Sequence, residues 1–219
     1  MGAKEKFADL KTDIIKYAGL VEEMVEKAMT AFLNGDKNLA SSVIEYEERQ
    51  SDSWENKLDE ACISFIALYQ PEAKVLRFTM MIYKMASDLE RIGDIATNIA
   101  KDAASFSEYA LSFDTTHYET MKNLTLTMLR KAINAFVQEN ASLAEEVIKT
   151  DTEVNALRDT LHETIISRMN EKQENVLPWL ILLSVSRHLE KIADITTNIA
   201  EEVIYISEGR VVKHHHQKF

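Results

Sequence analysis

The sequence predicts an all-α protein built as two tandem antiparallel three-helix bundles that are related by an internal repeat. Apolar residues recur at three- and four-residue spacing through nearly all of the 219 residues, as in amphipathic helices. Only 5 glycines and 2 prolines occur, which is too few for the many turns of a sheet protein. A segment near the middle of the chain recurs in similar form near its end, which indicates a duplication.

The residues that break helices divide the apolar pattern into six predicted helices. Asn34 and Gly35 end the first helix, and Asp36 is a candidate N-cap for the second. Pro71 separates the second helix from the third, and Pro178 is tolerated in the first turn of the sixth. The expected helices lie at about residues 6–34, 36–69, 71 to beyond 100, 116–137, 141–169 and 176–208.

The internal repeat covers whole helices and is not limited to a short motif. "DLERIGDIATNIA" at residues 88–100 recurs as "HLEKIADITTNIA" at residues 188–200. Apolar residues further upstream also match in order and spacing, beginning with Ala28 in the first half and Ala132 in the second. Each half then holds three helices with short connections, which favours antiparallel up-down packing. The predicted bundles are residues 1–112 and 113–219.

Composition and charge narrow the class of protein. Hydrophobic residues make up 46% of the chain and charged residues 28%, values typical of a folded globular protein. The formal net charge of -11 opposes binding to nucleic acid or to anionic lipid. No apolar stretch is long enough to span a bilayer, and the polar N-terminus does not resemble a signal peptide, so we expect a cytoplasmic protein. The one cysteine, Cys62, excludes an intrachain disulfide, and we expect it to be buried.

Polar side chains form a stripe on each of the two helices that carry the repeated segment. At about 100° per residue, two carboxylates and one amide fall on one side of each helix, opposite the apolar residues. Carboxylates at i and i+4 have Cβ atoms about 5–6 Å apart, close enough to bind one cation or to bridge two. The sequence therefore predicts two metal-binding strips that face away from the core. The first strip is Glu90, Asp94 and Asn98, and the second strip is Glu190, Asp194 and Asn198.

A further set of acidic and amide side chains provides weaker candidate ligands on the neighbouring helices. These residues match through the repeat only with a shift of one residue relative to Val43 and Val147. If each neighbouring helix faces its strip, the oxygens would complete a cluster. Oxygen-rich sites suit Mg, Mn or Ca, and iron and zinc also accept carboxylates, so the metal stays open. The weaker candidates are Glu48 and Asp52 in the first half, and Asp151 and Asn155 in the second.

The alternative interpretation of both strips is a solvated, charged helix face. Arg91 and Lys191 would then offset Asp94 and Asp194 through weak i,i+3 pairs. Acidic pairs are common on helices, and only the occurrence of the pattern at matching positions in both halves favours a shared purpose.

The chain carries no motif of a familiar enzyme class. It has no Gly-rich phosphate loop, no serine nucleophile elbow and no Cys-His-Asn signature. Asp159 and His162 form a single Asp-x-x-His, but a ferritin-like di-iron centre needs two Glu-x-x-His pairs. The run from His214 to His216 is assigned no role. These observations predict a binding protein and not an enzyme.

The two repeated segments resemble the paired E/D-x-x-x-D signatures of the PhoU family. They read "LERIGDIATNIAK" at residues 89–101 and "LEKIADITTNIAE" at residues 189–201. The similarity extends over about residues 5–214 and includes "DEACISFIALYQPEAKVLR" and the terminal "YISEGRVVKH". Two departures stand out: Ala193 replaces a usual glycine, and Val75 replaces a common aspartate. The second change weakens the assignment of a specific partner.

The resemblance implies a negative regulator of phosphate uptake that acts through protein contacts. It implies metal clusters, multinuclear iron or zinc in particular, on Glu90, Asp94, Glu190 and Asp194. It also implies a homodimer that connects the ATPase of the Pst phosphate ABC transporter with a PhoR-type sensor kinase, and that meets membranes only through such membrane proteins.

Two other functions stay open at the level of sequence. The chain is also similar to the related accessory proteins of Pit-type phosphate transporters. A carboxylate-bound metal cluster can also activate water for phosphoester hydrolysis, but an outward helix face offers no evident pocket, general acid or substrate clamp.

Overall fold

The computed structural model describes residues 2–109, 113, 115–171 and 176–208. The histidine run and the family-like ending beyond residue 208 lie outside the described residues. Within the described part, the chain is helical and contains no strand, as the sequence predicts. The helices are α1 (Ala3–Asn34), α2 (Lys37–Ser42), α3 (Glu48–Tyr69), α4 (Ala73–Phe106), α5 (Thr116–Gln138), α6 (Ala141–Glu171) and α7 (Leu177–Glu208), with a π-helical turn (Val43–Glu47) joining α2 to α3.

The turn after the first helix of each half has the same geometry in both halves. Gly35 ends α1 with a φ of 67°, and Glu139 ends α5 with a φ of 53°. The side chain of Asp36 accepts hydrogen bonds from the backbone N–H groups of Asn38 and Leu39. Asn140, at the equivalent position, accepts one from the Leu143 N–H at 3.1 Å. A left-handed residue followed by a side-chain N-cap therefore turns the chain at both places.

The π-helical turn explains why the repeat needs a shift of one residue. A π-helical turn holds one more residue than an α-helical turn, so it absorbs an insertion without changing the helix axis. Before the turn, buried Val43 matches buried Val147, and after it buried Leu58 matches buried Leu161. The first half therefore has one additional residue in this helix. The second half continues as the unbroken α6.

Each half is a bundle of three helices, because α2, the π-helical turn and α3 follow one another without a break and form the second helix of the first half. The two bundles pack against each other through α1, α4, α5 and α7. Helix α3 covers α1 and α4, and α6 covers α5 and α7. Lys84 near the start of α4 pairs with Glu202 near the end of α7. Asp102 near the end of α4 lies 3.4 Å from His188 on α7, so these two helices run antiparallel. This architecture confirms the predicted pair of bundles.

A single apolar core extends through both bundles. The ring of Phe32 on α1 lies 5.4 Å from that of Tyr118 on α5, and the ring of Phe113 contacts both. The predicted boundary between residues 112 and 113 therefore falls beside a residue that packs on both halves; Ser112 itself lies outside the described residues. Cys62 is fully buried, as expected, and burial raises the pKa of its thiol to about 12.

None of the described helices is both long enough and apolar enough to cross a membrane.

Candidate metal-binding strips on α4 and α7

The first strip lies along the side of α4 that borders α3. Glu90 is partly buried, and Asp94 and Asn98 are exposed, while Ile92 and Ala96 on the opposite side are fully buried. The strip therefore faces out of the core, as predicted, but Glu90 sits at the junction with α3 and not on an open surface.

Carboxylates from α3 meet the first strip and make it strongly acidic. Partial burial, followed by the charges of Asp94, Glu55 and Asp52, raises the pKa of Glu90 to about 7. Glu90 and Asp94 also share a hydrogen bond, which favours a proton between them. Burial and the charge of Asp59 raise the pKa of Glu55, which is hydrogen-bonded to Ser87. We name Asp52, Glu55, Glu90 and Asp94 the acidic cluster.

Of the weaker candidates in the first half, the structure brings one to the strip. Asp52 belongs to the acidic cluster, because its negative charge helps to raise the pKa of Glu90. Glu48 instead lies 3.9 Å from the ammonium of Lys101. Sequence reasoning missed Glu55 and Asp59, although their spacing from Asp52 places all three on one face of α3. Burial raises the pKa of Asp59, and its Oδ1 atom is buried without a hydrogen-bond partner among the described residues.

The second strip has a different electrostatic environment, because α6 brings an arginine to it. The Nη1 of Arg158 donates a hydrogen bond of 2.7 Å to Oε1 of Glu190. Asp194 lies 3.7 Å from the ammonium of Lys191, and Asn198 is exposed. Once the one-residue shift is applied, Arg158 is the repeat equivalent of Glu55. Sequence reasoning missed this pairing, which the alignment of α3 with α6 would have indicated.

The weaker candidates on α6 lie together. Asn155 donates a hydrogen bond of 2.8 Å from Nδ2 to Oδ2 of Asp151, which is buried. The two side chains thus contact each other one helical turn apart.

Among the described residues, the local ion pair that the alternative of a solvated face expects is present in the second strip and absent from the first. Lys191 is close to Asp194, as that interpretation requires. Arg91 instead contacts Asp88 at 3.4 Å, in the opposite direction along α4 from Asp94. Within the described residues, no lysine or arginine forms an ion pair with any member of the acidic cluster.

A close contact at the first strip accounts for Gly93. A Cβ atom built at Gly93 would lie 2.8 Å from Oγ of Ser51, closer than non-bonded atoms approach. Ser51 is buried and is hydrogen-bonded to the hydroxyl of Tyr17 at 2.8 Å. In the second half the equivalent of Ser51 is Val154, and Ala193 packs there fully buried. The absence of a side chain at Gly93 therefore leaves room for the hydrogen-bonded side chains of Tyr17 and Ser51.

Val75, the other departure from the family pattern, is half-buried against the core.

The donor set of the acidic cluster fits a cation that prefers oxygen ligands. Four carboxylates lie near one another, and burial together with their mutual repulsion raises the pKa of Glu90. In the described part of the chain, however, no three acidic, histidine or cysteine side chains already converge on a single metal-sized space. A cation would therefore have to draw the flexible carboxylates together.

The fold and its strips define the class: an internally duplicated helical-bundle protein with a polar strip on the third helix of each bundle. The PhoU domain matches residues 14–103 and 118–203, one match in each bundle. The chain belongs to the PhoU family.

Sequence similarity to relatives extends over nearly the whole chain. It is 37% identical over 214 residues to the phosphate-specific transport system accessory protein PhoU homolog of Aquifex aeolicus, with 98% of this chain and 96% of the relative covered. It is 31% identical over 206 residues to the Escherichia coli accessory protein PhoU, covering 94% and 85%.

The fold is also that of solved structures in the family. The crystal structure of PhoU from Pseudomonas aeruginosa matches with a TM-score of 0.91 at 31% identity, covering 95% of this chain and 100% of that one. The phosphate transport system regulatory protein PhoU from Streptococcus pneumoniae matches with a TM-score of 0.90 at 27% identity, covering 97% and 100%.

Proposed function

We propose that this protein is a metal-binding accessory protein of a phosphate-specific transport system that negatively regulates phosphate uptake and phosphate-starvation signalling. The names of its relatives support the transport assignment. The acidic cluster is the observation that supports metal binding: four carboxylates lie near one another between α3 and α4, and no lysine or arginine of the described residues forms an ion pair with them. Such a cluster is stabilised by a cation.

Glu90 and Asp94 would hold the metal, with Asp52 and Glu55 reaching it from α3. A bound ion would supply positive charge, which neutralises the cluster and leaves a site for oxygen atoms of a partner. Iron and zinc are the proposed metals, with manganese and magnesium as alternatives. Glu190 and Asp194 remain predicted ligands, but Arg158 already supplies a positive charge to Glu190. We therefore propose the first strip as the main metal-binding site.

The proposed partners are the ATPase of the Pst transporter and a PhoR-type sensor kinase, contacted in the cytoplasm by a homodimer. The protein would hold the kinase pathway off when phosphate is plentiful. No catalytic step is proposed, since the relatives are named as accessory or regulatory proteins. Asp94 is exposed on a helix face, which leaves little to exclude water from a reaction there.

The direct test measures metal content and partner binding in the same samples. Purified protein would be compared with a Glu90→Gln/Asp94→Asn variant and with a Glu60→Gln/Glu163→Gln control, which removes two exposed acids elsewhere. We expect bound metal and metal-dependent binding of the ATPase or kinase in the wild type and the control, and loss of both in the strip variant. Metal-dependent phosphatase turnover that the strip variant loses would instead make the protein an enzyme.

A further inference from the structure

A pocket in the second half carries arginine, histidine and lysine side chains at positions where the first half is mostly acidic. The pocket opens between α6 and α7 and has a volume of about 510 Å³. Its nitrogen-bearing side chains come from two helices and face the same space. We name it the basic pocket, and these side chains are Arg158, His162, Arg187, His188 and Lys191.

The charge reversal follows from residue identities at equivalent positions of the repeat. On the α6 side, Arg158 and His162 replace Glu55 and Asp59 of α3 once the one-residue shift is applied. On the α7 side, two of the three positions also become more basic, and the third stays basic. Arg187, His188 and Lys191 stand where α4 has Ser87, Asp88 and Arg91. The duplicated helices therefore place more basic residues around the space in the second half than around the equivalent space in the first.

The acids that also line the pocket are already bound. Asp159 accepts hydrogen bonds from Nε and Nη2 of Arg158, and Glu190 accepts one from Nη1 of the same guanidinium. Arg158 thus offsets the charge of these two carboxylates.

The cations on α7 remain available to a ligand. Arg187 is exposed and makes no ion pair with the described residues. Lys191 is also exposed, and its one ion pair among the described residues, with Asp194 at 3.7 Å, is long and solvent-exposed. Burial lowers the pKa of His162, and the charges of Arg187 and Arg158 lower it further against the opposing effect of Asp159. Both guanidinium groups therefore act electrostatically on the space that His162 faces.

We propose that the basic pocket is a binding site for a phosphate-type oxyanion. Arg187 and Lys191 supply the direct contacts, because a guanidinium fork and an ammonium match the geometry and charge of a phosphoryl group. Arg158 holds Glu190 and Asp159 away from the ligand. This proposal does not depend on metal at the first strip, so either can fail without the other.

The test uses inorganic phosphate in equilibrium dialysis at constant ionic strength, with chloride as the balancing anion. The variant Arg187→Gln/Lys191→Gln removes the two direct contacts. The control Arg91→Gln/Lys101→Gln removes the same number of exposed positive charges from α4. We expect phosphate affinity to fall about tenfold or more in the first variant and to change little in the control, since hydrogen bonds to charged groups are worth that much. Circular dichroism confirms that both variants remain helical.

A second arm replaces inorganic phosphate with the monoester O-phosphoserine. Binding of phosphate that the Arg187 and Lys191 variant loses identifies the free ion as a ligand. Binding of the monoester alone, lost in the same variant, supports the site and identifies a phosphoryl group on a larger molecule as its source. The proposal is overturned if neither compound binds at millimolar concentration, or if both variants bind as well as the wild type.

Discussion

Arg158 Nη1 lies 2.7 Å from Glu190 Oε1, and at the equivalent place in the first half Glu55 faces Glu90. The helical positions are the same, but one pair attracts and the other repels. In the second half the chain supplies its own counter-ion. In the first half, burial and the neighbouring carboxylates raise the pKa of Glu90 to about 7.

Exchanging the two α3 and α6 residues should move metal affinity between the halves. We expect Glu55→Arg to abolish metal binding at the first strip, because the guanidinium would pair with Glu90 as Arg158 pairs with Glu190. We expect Arg158→Glu to raise the bound metal to about twice the wild-type amount. Elemental analysis after dialysis against manganese or zinc measures both outcomes.

The double exchange is the matched control for this experiment. It should bind about as much metal as the wild type, now at the second strip, so that Glu190→Gln removes it and Glu90→Gln does not. Equal metal content in the wild type and in both single variants would contradict the idea that Arg158 and Glu55 decide where a cation binds.

The stability of the metal-free protein should fall as the pH rises from about 5 to 8. The folded state raises the pKa of Glu90 from 4.5 to about 7, so it binds more protons than the unfolded state in this window. The contribution of Glu90 is therefore complete below its unfolded pKa and is lost as the pH passes its folded pKa. Urea denaturation at several pH values measures this slope.

Glu90→Gln isolates the contribution of that carboxyl group. Its neutral amide cannot titrate, so the slope between pH 5 and 8 should become shallower than in the wild type. Saturating manganese should also reduce the slope in the wild type, because the ion takes the place of the proton. A slope that is the same in all three samples would mean that Glu90 does not carry a raised pKa.

The bundles were predictable because helix periodicity, turn residues and the duplicated segment all report on the same architecture. The positions of Gly35, Asp36 and Pro178 locate helix ends by local chemistry alone. The contacts of the strips were less accessible, because they depend on how α3 and α6 are rotated. The π-helical turn changes that rotation by one residue, and it separates Glu55 from its equivalent Arg158 in a simple alignment.

Substitution of Gly93 and of its repeat equivalent Ala193 should each destabilise the protein, but for different physical reasons. Gly93→Ala would place a methyl group 2.8 Å from Ser51 Oγ, and we expect a destabilisation of about 1–3 kcal/mol from this overpacking. A helix otherwise favours alanine by about 1 kcal/mol. Urea unfolding measures the difference from the wild type.

The reciprocal substitution, Ala193→Gly, provides the control. No serine lies against Ala193, so only the lower helix propensity of glycine and the lost methyl group count, and we expect a loss of about 1–2 kcal/mol. Adding Ser51→Ala to Gly93→Ala should recover part of the stability, although it leaves the Tyr17 hydroxyl without its partner. A stabilising Gly93→Ala substitution would show that Ser51 moves aside without cost.

Deleting one exposed residue from the π-helical turn should convert it to regular α-helix without unfolding the protein. Tyr46 is 66% exposed, and its removal gives the first half the same residue count as α6 between the positions of Val43 and Ser51. Buried residues on both sides of the turn keep their faces, because the α-helical turn now spans the distance that the additional residue filled. The Oε2 atom of Glu47 is buried and has no hydrogen-bond partner among the described residues. After the deletion, Glu47 would move toward the position that the half-buried Thr150 has in α6. We therefore expect the unfolding free energy to change by less than about 1 kcal/mol.

The matched control deletes Lys149 from the regular helix α6, which rotates every following residue by about 100° and should cost several kcal/mol or prevent folding. Circular dichroism and urea denaturation of the two deletions distinguish an absorbed insertion from a required one; equal damage in both would mean that the first half depends on its π-helical turn.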